Sequence, residues 1–156
     1  MRWRFLFFQS SKDKWFTEAL EVYSKKISNI LKFELLAIKA PKLGRDHKAD
    51  KVKKEQQLLE DKLGKSSYVI LFDEKGKSMN SLEFSETLQT LVDGGNGQID
   101  FVIGGAFGVS DEVKNMANLK VNLSPMTLNH HVATIVGLEQ VYRALSISKN
   151  LPYHNE

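Results

Sequence analysis

The sequence predicts an α/β fold with a parallel-type sheet of about five strands and helices on both faces. Three features carry the prediction. Short apolar runs recur at residues 3–8, 32–38, 68–72, 99–103 and 119–123. Segments with helical spacing fill the intervals, and strands alternating with helices pair in parallel. Small or polar residues stand where the runs end. No repeat and no composition shift divides the chain, so residues 1–156 read as one domain, long enough to bury a sizeable core.

The first strand, 3–8, is short and aromatic and ends at Gln9-Ser10-Ser11, where Ser11 is the expected N-cap of the next helix. In that helix Phe16, Ala19, Leu20, Tyr23, Ile27 and Ile30 follow the helical period and form a face for the sheet. A second strand, 32–38, is followed by Pro41 and Gly44, which break the pattern. Residues 39–54 then carry seven basic side chains (Lys39, Lys42, Arg45, Lys48, Lys51, Lys53, Lys54) against Asp46 and Asp50. They begin as a loop and continue into a helix over about 49–63, closed by Gly64 in a C-cap role. The apolar face of that helix is thin: Val52, Leu58, Leu59 and Leu63. Two readings stand for the basic segment, contact with phosphates or a solvated face.

Residues 68–72 form a continuous apolar run, as in a central parallel strand covered on both sides, with 73–77 as the exit loop. Asn80 and Glu83 have the spacing of a capping box. The helix behind them shows Leu82, Leu88, Leu91 and Val92 and stops at Asp93-Gly94-Gly95. Another buried strand, 99–103, leads into Gly104-Gly105. Ser110 opens a short helix with Asp111 and Glu112 at its positive end. Val121 and Leu123 close the last strand. The final helix, over 131–148, is apolar almost all round. One side covers the sheet, and the rest is expected to face a partner, most simply a second copy of the chain. Glu139 and Arg143 lie four apart and can pair with each other.

With 42% hydrophobic and 26% charged residues the chain reads as soluble and globular. It has no cysteine, which excludes disulfides and thiolate metal sites. Its start lacks the apolar run of a signal peptide, and no run approaches the ~20 apolar residues of a membrane span. The expectation is a cytoplasmic protein without membrane or metal. His130 and His131 are adjacent at a helix start and poorly placed to share an ion, His47 reads as surface, and His154 lies in a polar tail. The net charge of +3 hides an asymmetry: residues 1–67 hold sixteen Lys and Arg against nine Asp and Glu. The basic half suits a polyanion such as RNA, or is simply a solvated surface.

Two strand-to-helix loops are candidates for chemistry. One runs Gly104-Gly105-Ala106-Phe107-Gly108, the other Leu123-Ser124-Pro125-Met126-Thr127-Leu128-Asn129-His130. Neither contains Lys or Arg, and the first is neither a dinucleotide fingerprint nor a phosphate loop. Placed at the ends of neighbouring strands, they would enclose one crevice for a flat, partly apolar ligand held by backbone groups. A cationic ligand such as S-adenosylmethionine is compatible with them; so is a purely structural role as turns.

Residues 123–130, Leu138-Glu-Gln-Val-Tyr-Arg-Ala144 and Pro152-Tyr-His-Asn-Glu156 together resemble the ribosomal RNA large subunit methyltransferase H family. Residues 101–108 and Gly76-Lys77 share the resemblance, which spans the chain and is densest from Tyr68 onward. It implies a SPOUT fold with a C-terminal trefoil knot, which topology rules alone would reject, and an obligate homodimer. It implies S-adenosylmethionine held at Phe72, Gly104, Gly105, Leu123, Ser124, Pro125, Met126, Thr127 and Leu128. The implied reaction is methylation of N3 of pseudouridine 1915 in 23S rRNA on the assembled ribosome. The sequence departs from the family at Asn129, where proline is usual, at Thr134, where arginine is usual, and at Asn155, where a basic residue is usual. The first is expected to loosen the loop, and the others to lower RNA affinity or turnover. Tyr153 and His154 are the candidates for substrate positioning or proton handling, with His130 and Arg143 for substrate contact. A tail that merely packs is the alternative, and a non-catalytic RNA-binding or assembly factor is the rival for the whole chain.

Overall fold

The computed structural model describes residues 1–155. Five strands, β1 (Arg2–Gln9), β2 (Lys32–Lys39), β3 (Tyr68–Ser78), β4 (Gln98–Ile103) and β5 (Leu119–Asn122), form one all-parallel sheet in the order β2-β1-β4-β3-β5. Five helices connect and follow them: α1 (Lys14–Ser28), α2 (Lys48–Lys62), α3 (Ser81–Asp93), α4 (Asp111–Met116) and α5 (His130–Ser148). The alternation of apolar side chains along the strands fills both faces. Trp3, Phe5, Phe7, Ile70, Phe72 and Phe101 meet α1, α3 and α5 on one side. Leu6, Phe8, Val69, Leu71 and Val102 join Leu59 of α2 and Val113 of α4 on the other. Among the described residues no helix is long and apolar enough to cross a membrane.

The capping box of Asn80 and Glu83 forms as the sequence predicts, and Ser110 caps α4. Ser11 does not cap α1. The helix starts after Asp13, whose carbonyl accepts from Phe16 and Thr17, while the Ser11 hydroxyl donates to the Asp13 carboxylate at 2.9 Å. Gly64 does not close α2 in a left-handed cap: Leu63 is the C-cap and is extended, and Gly64 N–H donates to Asp100 at 2.9 Å. In α3 the buried apolar residues are Phe84 and Leu88, and Leu82 is exposed.

Two corrections bear on the site. The strand at residues 68–72 does not end there. Its chain leaves the sheet at Asp73 and returns at Lys77, so Phe72 and Lys77 both pair with Val121. A Cβ on Gly76 would stand 2.6–2.7 Å from the backbone of Lys120 and Val121, so only glycine lets the returning chain lie this close to β5. The two candidate loops follow β4 and β5, which are not neighbours, because β3 runs between them. Nor does α5 leave a broad apolar patch. It lies between α1 and α3 with Leu138, Val141, Ala144 and Leu145 buried, and Val132 is its exposed large hydrophobic residue.

Candidate functional site

At the carboxyl edge of the sheet lies a cleft of about 610 Å³. The excursion of β3 between the two loops supplies what the sequence reading lacked, a third wall of Asp73, Glu74 and Lys75. Each loop is shaped by its own short-range hydrogen bonds. Asn122 Oδ1 accepts from Ser124 N–H at 2.7 Å, and Ser124 Oγ from Met126 N–H at 3.0 Å. Such side-chain-to-backbone bonds are how Asn and Ser hold turns. The glycine turn closes with Gly108 N–H donating to Gly105 O at 3.1 Å, and Gly108 takes φ +80°, a left-handed conformation that glycine accepts without strain.

The structure places Phe72, Gly104, Gly105, Leu123, Ser124, Met126, Thr127 and Leu128 around this cleft, with His130 at the start of α5. Pro125 belongs to the same loop but is exposed outside the lining. Both loops are uncharged, yet the cleft is not, since Lys48, Lys75 and Lys114 reach it together with Asp73 and Glu74. Apolar walls fit a flat ring, and charges of both signs fit a zwitterionic amino-acid tail. The residues present therefore suit S-adenosylmethionine.

Asn129 takes up a capping role at the loop's end. Its side chain caps α5, accepting from His131 N–H at 2.9 Å, a bond proline could not offer. Thr134 is fully buried and donates to His130 O at 2.7 Å. His131 stacks on Phe16 with ring centroids 3.9 Å apart and accepts from Ser10 N–H at 3.3 Å. His130 lies 3.0 Å from Ser10 Oγ through Nε2. Burial, then the neighbouring His131 and Lys51, lower its pKa to about 4, so its ring is neutral at physiological pH.

Arg143, Tyr153 and His154 form a second cluster, outside the cleft. Arg143 grips Glu139 through Nε and Nη2, and Tyr153 Oη donates to the same carboxylate oxygen at 3.0 Å. Arg143 Nη1 lies 3.1 Å from His154 Nδ1, and because arginine only donates, His154 accepts there. The tail is thus folded back on α5. Burial and Glu139 push the Tyr153 phenol well above its ordinary range, so it is a donor at neutral pH and not a base. Along α5, His130 and Arg143 are thirteen residues apart, roughly 20 Å at the rise of an α-helix.

Two further residues, Lys26 and Glu55, do not stand out in the sequence, and Lys51 does so only as part of the basic segment. Lys26 Nζ stands over Tyr142 and Tyr153 at 5.2 and 5.3 Å and helps hold the tail. Lys51 and Glu55, with Leu59, make the buried face of α2. Their i, i+4, i+8 spacing was legible, but charged residues are read from sequence as facing outward, to phosphates or to solvent. Among the described residues no group of three His, Asp or Glu is placed to hold a metal.

A family model described as "Predicted SPOUT methyltransferase" matches residues 1–154. A protein of Bdellovibrio bacteriovorus named ribosomal RNA large subunit methyltransferase H is 41% identical over 146 residues, covering 94% of each chain. One of the same name from Maridesulfovibrio salexigens is 40% identical over 153 residues, covering 97% of each. A solved structure described as a probable methyltransferase from Bordetella pertussis superposes with a TM-score of 0.55 at 18% identity, over 92% of this chain and 96% of that one. That likeness is one of fold.

Proposed function

The chain belongs to the SPOUT methyltransferase family, and from that premise we propose that it methylates 23S rRNA at N3 of pseudouridine 1915 on the assembled ribosome, in the cytoplasm. Its methyl donor is S-adenosylmethionine, as for the family. The observation that carries the rRNA reading is the near-complete match at about 40% identity to relatives named for that substrate. The non-catalytic alternative has no observation in its favour, since the family model and the relatives are named as methyltransferases.

When bound, S-adenosylmethionine supplies an electrophilic methyl on a sulfonium. The rest falls to the protein. Gly104, Gly105 and Leu123, Ser124, Met126, Thr127 and Leu128 would hold the donor through backbone groups, with Phe72 against its flat ring and Pro125 stiffening the loop. His130, neutral and at the cleft mouth, would position the acceptor base. The imide nitrogen must lose its proton as the methyl arrives, so the site needs alignment and a proton acceptor. Tyr153 is disqualified as that acceptor by its raised pKa and serves as a hydrogen-bond donor; His154 remains the candidate for proton handling. Arg143 would be the substrate contact of the tail.

In one chain this tail lies too far along α5 to meet the cleft. We therefore read the active unit as a homodimer in which the tail of one protomer completes the cleft of the other, within a single knotted methyltransferase domain spanning residues 1–156. A narrow outward stripe on α5, Val132, Val136, Glu139 and Arg143, runs from cleft to tail cluster and suits a second copy.

The test is transfer of labelled methyl to ribosomes lacking the modification, against free 23S rRNA, with the product mapped by mass spectrometry. Methyl on pseudouridine 1915 of ribosomes is expected; methyl elsewhere, or equal use of free rRNA, overturns the assignment. Mixing a cleft variant (Gly104→Val) with a tail variant (His154→Ala) should restore activity through mixed dimers. No restoration would refute the shared site.

A further inference from the structure

We propose that Glu55 is a positioning residue of the donor cleft: its carboxyl bears on the backbone of the glycine turn from beneath, and it ionises when a cation occupies the cleft above. This rests on the reading of the cleft as the S-adenosylmethionine site.

Glu55 is only 3% exposed, and among the described residues neither of its carboxyl oxygens has a hydrogen-bond partner. Asp100, comparably buried, shows what a structural carboxylate looks like here. It accepts from Arg4 Nε at 2.8 Å, Arg4 Nη2 at 2.6 Å and Gly64 N–H at 2.9 Å. A buried acid with nothing to satisfy it is a poor packing residue, since leucine or glutamine would fill the space without the risk of a buried charge. Its position gives it another use. A Cβ on Gly105 would lie 2.2, 2.6 and 2.7 Å from Glu55 Oε2, Oε1 and Cδ. The carboxyl thus lies against the turn, and Gly105 itself lines the cleft. One layer of backbone separates the carboxyl from the ligand space.

The surroundings leave Glu55 poised between its two states. Lys51, one turn earlier on α2, favours the ionised form; its ammonium sits over the Phe107 ring at 5.2 Å, and the same charge opposes protonation of His130. The glycine turn carries no ionisable group, and the strand residues in the same cluster, Leu6, Leu71 and Val102, are apolar. Helix α4, packed on α2, brings Asp111, Glu112 and Lys114. Burial outweighs Lys51 and lifts the carboxyl to about 7. A positive charge across one backbone layer favours the carboxylate. Loss of that charge, when the sulfonium becomes a neutral thioether on methyl transfer, favours the acid. Ionisation and cation binding then assist each other equally, as linkage requires. The donor is held more tightly than the spent product.

Calorimetry on the full-length protein tests this with S-adenosylmethionine and S-adenosylhomocysteine at pH 6 and pH 8. The unsubstituted chain should gain about fivefold in the ratio of donor to product affinity between the two pH values. In Glu55→Gln that gain should vanish, with product affinity kept and a cooperative thermal melt retained at both pH values. The amino groups of the ligands titrate alike against both proteins, so they cancel in the comparison. An equal gain in Glu55→Gln, or equal weakening of both ligands, overturns the proposal. Should Glu55→Gln not fold, the ¹³C shift of the Glu55 carboxyl in the unsubstituted protein decides. A titration midpoint unmoved by saturating donor overturns the proposal, and one that falls supports it. Binding of neither ligand to the unsubstituted chain refutes the reading of the cleft itself.

Discussion

Replacing Gly105 by alanine should destabilise the protein because Glu55 is there, and removing Glu55 should cure the defect. The alanine methyl would enter the space of three carboxyl atoms at 2.2–2.7 Å, under the 3.0 Å that real Cβ atoms respect. The carboxyl must move bodily, yet it is 97% enclosed, so relief has to come from α2 or from the turn. Overpacking of that kind costs about 1–3 kcal/mol. Against it stands a gain of about 0.4–1 kcal/mol, because alanine restricts the unfolded chain more than glycine does, and Gly105 does not have a positive φ to make alanine strained. Gly105→Ala should therefore lose about 1–2 kcal/mol. With Glu55→Ala in the background the obstructing atoms are gone and only the gain remains, so the same substitution should be neutral or slightly stabilising. The coupling energy from urea unfolding of the four proteins is then about 2 kcal/mol. Additivity within about 0.5 kcal/mol would show that the carboxyl does not lie against the turn.

Glu55 also sets a pH dependence of folding. Its folded pKa of about 7 lies above the ordinary 4.5, so its stabilising contribution is complete below about 4.5 and is lost as pH rises through 7. The span is on the order of 3 kcal/mol, and Glu55→Gln should flatten the stability profile between pH 5 and pH 8; an unchanged slope refutes it. His130, lowered from 6.5 to about 4, should keep a constant imidazole NMR shift from pH 7.5 down to 5, and stability should fall as pH drops from 6.5 toward 4, because the unfolded chain takes the proton first. A midpoint above 6 would contradict the burial that causes the shift. Tyr153→Phe removes the bond to Glu139 and should cost about 1 kcal/mol in urea unfolding, with the tail becoming sensitive to carboxypeptidase; no change in either would mean the tail is not held there. Reversing Lys53 and Lys54 to glutamate should weaken ribosome binding and reduce its salt dependence by about two counterions. Unchanged salt dependence would assign that helix face to solvent.

Those elements were legible whose apolar pattern had one physical meaning. Phe5, Phe7 and Phe101 on one face, with Leu6, Leu71 and Val102 on the other, leave little but a sheet covered on both sides. Asn80 with Glu83 stated a helix start in side-chain chemistry alone, and the structure forms it. The strand order was not legible, since nothing local says that β4 pairs with both β1 and β3. This is why the two candidate loops were expected on adjacent strands. The return of β3 at Lys77 was hidden because Glu74, Lys75 and Gly76 look like any polar exit loop, and what brings the chain back is its fit against Val121, 45 residues later. Glu55 was hidden for the opposite reason. Charge at a helix position is good grounds for placing it in solvent, and the rule fails where a backbone turn needs something beneath it.

That failure is informative about how the site is built. Glycine at 105 brings the ligand space near, and the same missing side chain admits the Glu55 carboxyl from the other side. A residue with a Cβ would have separated the two. The turn is therefore a thin partition, with Lys51 and Glu55 behind it and Asp73, Glu74 and Lys75 among the other residues that line the cleft. Electrostatic influence crosses such a partition with little screening, because the groups behind it are removed from water. A neutral pair of loops can then discriminate ligand charge although no charged side chain lies on either. The absence of Lys and Arg in the loops, which first suggested a cationic ligand, is only half of that arrangement; the other half stands one backbone layer away, on a helix whose sequence looked like surface.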